Sequence, residues 1–160
     1  MRATVDLIND MLDAAKGSLD GGRCYIFAGP VPALASDALD TNNDHTLVAV
    51  LTESNDGSTG LTFESPADGV LPKNAFEVWE GTIEFSGAED NETMLTPTFF
   101  RFCASGDDGR GDGTGMRRLQ GSAGGPTSSA VAKLTSATAT ANGSNAIGVA
   151  LFNFRLLPSS

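Results

Sequence analysis

The side chains able to do chemistry are few. One histidine, two cysteines and twenty carboxylates are spread over 160 residues, and a single imidazole removes most triads, His-rich metal sites and imidazole acid–base schemes. His45 lies in an Asp/Asn-rich turn with no nucleophile motif beside it and reads as a surface residue. Glu77 with Glu80, or Glu80 with Glu84, has the composition of a glycosidase pair, which needs two carboxyls facing one cleft at a set separation. Glu80 and Glu84 instead fall on the outward face of one strand. The Gly-rich loops lack the Lys-Ser/Thr ending of a phosphate-binding loop, and no strand–turn–helix unit is present to use one. No catalytic residue and no cofactor are expected, and the chain reads as a non-enzyme.

Clustered oxygens raise the possibility of a cation. Asp40-Thr41-Asn42-Asn43-Asp44 has the one, three, five spacing of a calcium loop, but His45 stands where the sharp turn wants Gly and Leu51 where a bidentate Glu belongs. Asp108, Asp112 and Glu89-Asp90-Asn91-Glu92 offer carboxylates across loops, and acidic loops are ordinarily solvated. No metal is expected. Arg110-Gly111-Asp112 matches a tripeptide read by some adhesion receptors, yet its Asp/Gly-rich surroundings describe a flexible, solvated hairpin loop. Trp79, Tyr25 and the phenylalanines have the types of a sugar-binding platform, and at strand spacing they read as core.

Ten basic residues against twenty acidic ones give a formal charge of −10. That balance, with no basic cluster, is wrong for neutralising phosphates, so nucleic acid is not an expected partner. No apolar run approaches the roughly 20 residues that span a bilayer, and Asp6, Asp10 and Asp13 interrupt any signal-peptide core. A soluble protein made in a cytoplasm is expected. There Cys24 and Cys103, both in apolar strand-like runs, begin as thiols; two buried small hydrophobes is the first reading and a late disulfide the second.

These side chains must be positioned by one helix and many short strands. From Thr4 to Leu19 the apolar residues Val5, Ile8, Leu12, Ala15 and Leu19 follow helical spacing, Leu7 and Met11 widen the stripe, Thr4 is an N-cap and Asp6 favours the helix dipole. This amphipathic helix either covers one end of its own sheet or docks on a neighbour. Strands are expected at 23–28, 46–52, 61–64, 76–85, 98–104, 116–122, 130–135 and 147–157. Gly29-Pro30-Val31-Pro32, Asn55-Asp56-Gly57, Ala67-Asp68-Gly69 and Asp107-Asp108-Gly109 break them. Phe99-Phe100-Arg101-Phe102-Cys103 carries apolar residues on both faces, as a central strand does, and Ala150–Leu156 should pair inside the sheet. The Ala/Thr alternation over 135–143 predicts a weakly specified edge able to add to another chain. The expected fold is mainly β: an N-terminal helix over residues 1–22, then one antiparallel β-sandwich domain, jelly-roll or immunoglobulin-like, over 23–160.

In order, several phrases resemble those of small virion structural proteins of tailed bacteriophages. They are Tyr25-Ile26-Phe27-Ala28-Gly29-Pro30-Val31-Pro32-Ala33, Leu47-Val48-Ala49-Val50-Leu51, Gly60-Leu61-Thr62-Phe63, the Trp79 strand ending in Gly81-Thr82, and Phe99-Phe100-Arg101-Phe102. Arg118-Leu119-Gln120-Gly121-Ser122 and the closing Phe152-Asn153-Phe154-Arg155-Leu156-Leu157-Pro158 follow. The acidic insertion around 89–96 and the Asp/Gly loop 107–115 depart from that layout. The resemblance implies a particle building block that assembles in the host cytoplasm and resides in the virion, with itself and connector, capsid or tail subunits as partners. It favours a neck or collar ring, with capsid decoration, tail attachment or a sugar-binding host-attachment module as alternatives. Val5, Ile8 and Leu12 on the helix, Glu89 and Asp90 in the acidic loop, and Arg110 and Asp112 in the Asp/Gly loop are the expected assembly contacts.

Overall fold

The computed structural model describes residues 3–85, 93–141 and 146–156. Along the chain run α1 (Val5–Leu19), β1 (Arg23–Ala28), β2 (Thr46–Glu53), β3 (Val70–Pro72), β4 (Trp79–Thr82) and β5 (Met94–Leu95). They are followed by β6 (Phe99–Cys103), β7 (Arg118–Gly124), β8 (Ala132–Leu134), β9 (Ala139–Thr140) and β10 (Ala146–Arg155). The architecture is mainly β with one helix, as expected.

The strands pair in the order β3-β10-β4-β2-β1-β6-β7-β8, and β10 also pairs with β8. Seven of them therefore close into a ring. β10 makes the closure because it is long enough to serve two neighbours: Ala146–Gly148 lie against β4, and the following stretch to Phe152 lies against β8. All pairings but one are antiparallel; β7 and β8 run parallel, with Ala123 opposite Ala132 and Gly124 opposite Lys133. The expected all-antiparallel pair of open layers is thus replaced by a mixed barrel, which leaves fewer unpaired edges than two sheets would. The Ala/Thr segment departs from expectation too. Among its described residues Ala139–Thr140 alone is strand, paired with β5 apart from the ring, and Ala139 and Ala141 are buried.

Alternation along the strands fills the ring. Cys24, Ile26 and Ala28 of β1 and Phe100 and Phe102 of β6 point inward, where Phe63, Trp79, Phe102 and Phe152 pack with centroid separations of 4.6–5.7 Å. Strand β4 passes close enough to β2 that a Cβ on Gly81 would stand 2.2 Å from the Val50 carbonyl oxygen, so only glycine fits there. Tyr25 and Phe27 of β1 and Phe99 and Cys103 of β6 point outward yet are also buried, in a second cluster with Leu39, Leu47 and Val50. Two layers of cover explain why every residue of β6 is buried. The outer layer is made by the loops over 29–45 and 104–117.

Candidate assembly surface

Helix α1 begins where Thr4 Oγ1 accepts the Leu7 N–H at 3.3 Å, with Asp6 in the first turn. Ile8, Leu12 and Leu19 enter the barrel's own core with at most 4% exposure. This corrects the expectation that Ile8 and Leu12 meet a neighbour: the centre of the apolar stripe has the largest area to remove from water, and the subunit's own barrel takes it. The stripe's margins stay outside, with Val5, Leu7 and Met11 each about half exposed. Both flanks of the helix are fastened. Asn9 Oδ1 accepts the Gly69 N–H at 2.9 Å and Asp20 Oδ1 the Phe63 N–H at 3.0 Å on one flank. On the other, an Arg117 guanidinium N–H donates to Ser18 Oγ at 2.6 Å.

The Asp/Gly loop is not a freely solvated hairpin tip. Arg118 forms a two-point ion pair with the buried Asp107, Nε–Oδ2 2.5 Å and NH2–Oδ1 2.7 Å, and its NH1 donates to the carbonyls of Ala35 and Gly111. Arg101, with no exposed surface, donates to Gln120 Oε1 at 2.9 Å and to the carbonyls of Gly109 and Leu34. Gln120 Nε2 in turn donates to the Pro32 carbonyl and Tyr25 OH to the Asp107 carbonyl. Strands β6 and β7 therefore project polar side chains that hold the backbones of both covering loops. The hydrogen bonds from Arg118 hold the Asp107 carboxyl below its ordinary value, whereas burial pushes the Arg101 guanidinium down. Gly109, at φ +71°, lies where a Cβ would approach Cys103 Sγ to 3.0 Å.

Arg110 and Asp112 sit on this fastened loop. The Arg110 carbonyl accepts the Leu39 N–H, the Gly111 carbonyl accepts from Arg118 NH1, and Gly113 N–H donates to the Ser36 carbonyl. The side chains of Arg110 and Asp112 remain exposed, and Asp112 accepts from the Thr114 hydroxyl and amide, which lower its pKa in that order. Glu89 and Asp90 lie outside the described residues.

His45 clips the other covering loop together. Its Nδ1 accepts the Asp40 N–H at 3.2 Å, so Nε2 carries the proton and donates to the Pro30 carbonyl at 2.9 Å. The ring stands edge-on to Phe99. Asp40 is spent on the Asn42 and Asn43 amides and the Asn43 side chain, as in an Asx turn. Among the described residues no three His, Cys, Asp or Glu side chains gather as a metal would require.

The carboxylates singled out for glycosidase chemistry are also apportioned. Glu77 accepts from Thr62 N and Oγ1 and from Trp79 Nε1. Glu80 lines a surface depression with Thr135 and Thr138, Glu84 a different one with Arg23 and Asp56. Cys24 and Cys103 are free and buried. In the β1–β6 register Cys24 faces Phe102 and Arg23 faces Cys103, so the thiols point to opposite sides of the sheet.

Sequence reasoning missed Phe76, which the expected strand 76–85 would have paired. It occupies a turn instead and is 95% exposed, with Val78 half exposed beside it. Leu7, Met11 and Met116 are among the other exposed large apolar side chains. Among the described residues no helix is long and apolar enough to cross a membrane. In comparisons with protein-family models, curated proteins and solved structures, nothing matches the chain.

Proposed function

We propose that this chain is a non-enzymatic structural subunit of a tailed-bacteriophage virion, placed in a ring at the neck or collar. The ordered phrases from Tyr25 to Pro158 bring the virion reading. The observation that carries it is how the fold uses its buried charge: Arg101, Arg118 and Asp107 fasten two surface loops to a barrel whose helix is also fastened on both flanks. Such a subunit presents a fixed outline to its neighbours, as an assembly module requires. The net charge of −10 fits an outer surface better than a channel filled with DNA. Quantitative mass spectrometry of purified particles tests the reading. A fixed copy number per particle is expected, and absence from particles overturns it. Labelling of intact particles with an antibody to the chain, seen by electron microscopy, separates the neck from the head surface and the tail.

A further inference from the structure

We infer that Phe76 of one copy inserts into the groove between α1 and the start of β7 of a second copy, a head-to-tail contact that builds the proposed ring. The inference rests on the self-assembly reading above and supplies its interface.

The knob is prepared in advance. Phe76 N–H donates to Asn74 Oδ1, Ala75 N–H to Glu64 Oε1, and Asn74 Nδ2 to Thr62 Oγ1, each at 3.0 Å. Lys73 Nζ closes the turn on the carbonyls of Asn74 and Glu77. These bonds fix the backbone of the turn that carries the ring, so the chain on either side of Phe76 has little freedom left to lose on binding, while the ring itself stands 95% exposed. It is also one of the residue types that anchor interfaces.

The groove is open, has a volume of about 430 Å³ and is lined by the apolar Ala14, Ala15, Leu19, Met116 and Leu119 and the polar Ser18 and Arg118, with Arg117, bonded to Ser18, at its rim. Leu7 and Met11 extend its apolar wall along the helix. Arg117 pairs with no carboxylate among the described residues. The base of the knob carries the carboxylates of Glu64 and Glu77 against the single ammonium of Lys73, so its net charge is opposite to that of the rim.

Placement decides the kind of contact. The Thr62–Phe76 turn lies on the flank of α1 fastened through Asn9 and Asp20, and the groove on the flank fastened through Ser18. Two different patches meeting between identical chains form a heterologous interface, which closes into a ring or runs on as a filament. A Phe brings ~150–250 Å² of the ~800 Å² per side that a stable contact buries; Val78 on one side and Leu7 and Met11 on the other extend it.

Sedimentation of the purified full chain tests this. The wild type should self-associate with concentration, and Phe76→Ala or Ala14→Trp, the second filling the groove, should weaken association at least tenfold with an unchanged unfolding temperature. Mixed together, Phe76→Ala supplies an intact groove and Ala14→Trp an intact knob, so the mixture should form dimers and stop there. A wild type monomeric at every concentration, association unaffected by Phe76→Ala, or a mixture that stays monomeric would overturn the inference. Particles that incorporate Phe76→Ala normally would also overturn it while sparing the virion reading. Absence of the wild-type chain from particles removes the virion reading and leaves the knob-and-groove contact intact.

Discussion

Arg118 and Asp107 meet beneath the loop over 104–117 as a two-point ion pair whose side chains are only 3% and 6% exposed. Beside them Arg101 is fully buried and forms no ion pair among the described residues; its hydrogen-bond partners are two carbonyls and a side-chain amide. Two guanidiniums and one carboxylate under a loop would be costly if their bonds were incomplete. No buried side-chain nitrogen or oxygen among the described residues lacks a partner. The geometry that meets this demand fixes the loop's outline, so the same contacts that offset the buried charge set the shape a partner would meet.

The pair makes stability depend on pH in a definite direction. The Asp107 carboxyl is held below its ordinary value by Arg118 and by the Gly109 amide, with burial opposing. A depressed carboxyl contributes stability above the unfolded-state pKa of ~3.9 and loses it as pH falls through the folded value. Asp107→Asn should therefore cost ~3–5 kcal/mol across pH 5–8, the range for removing one partner of a buried pair. Denaturant titrations at several pH values should show the gap to wild type level there and narrowing below pH ~4.

Arg101→Met keeps much of the side-chain volume and removes every donor. The carbonyls of Gly109 and Leu34 and Gln120 Oε1 then lose their partner, at ~1–3 kcal/mol for each group left unsatisfied. Water reaching the loosened loops would recover part of this, so a total of ~2–4 kcal/mol is expected by denaturant unfolding. Hydrogen exchange should quicken at the Leu39 and Gly113 amides, which bond across the two loops. It should not change in β2 and β4.

The thiols should be silent until the barrel opens. Burial, followed by the charge of Asp107, pushes Cys103 up to about 12, and burial raises Cys24 as well. Native protein should show no reaction with a thiol reagent at pH 8 over minutes and two equivalents after denaturation without reductant. Fewer than two would mean that the cysteines had paired, against their placement on opposite faces of the sheet.

Local patterns were the legible part of the sequence. The Thr4 cap and the β1 limits follow from spacing and breaker residues, because both are decided within a few positions. Ring closure was not legible. It depends on β10 lying against both β4 and β8, and no local pattern records which partners a ten-residue strand finds. The alternation of a strand puts Arg101 on one face with Phe99 and Cys103, but its use was hidden because its acceptors on Leu34 and Gly109 are backbone carbonyls, which leave no trace in side-chain type. The Arg110–Asp112 segment looked mobile for the same reason: its own carbonyls are what is held, Arg110's by the Leu39 amide from a loop some seventy residues earlier and Gly111's by the Arg118 guanidinium.

Met11 and Leu12 are neighbours in α1 with opposite destinations, 54% exposed and fully buried. That contrast separates the helix's two tasks. Leu12→Ala leaves a cavity beneath the barrel and should cost ~2–5 kcal/mol in chemical denaturation. Met11→Ala trims a half-exposed side chain outside the core and keeps a strong helix former, so stability should stay within ~0.5 kcal/mol. Self-association should respond in the reverse order under conditions where both variants are folded: weakened by Met11→Ala, which trims the groove's wall, and unchanged by Leu12→Ala. Deletion of residues 1–20 follows from the same placement. It strips Ile8, Leu12 and Leu19 from the main core and should unfold the chain rather than free an intact barrel. A truncated protein that kept a cooperative thermal transition would show that the barrel closes without its helix.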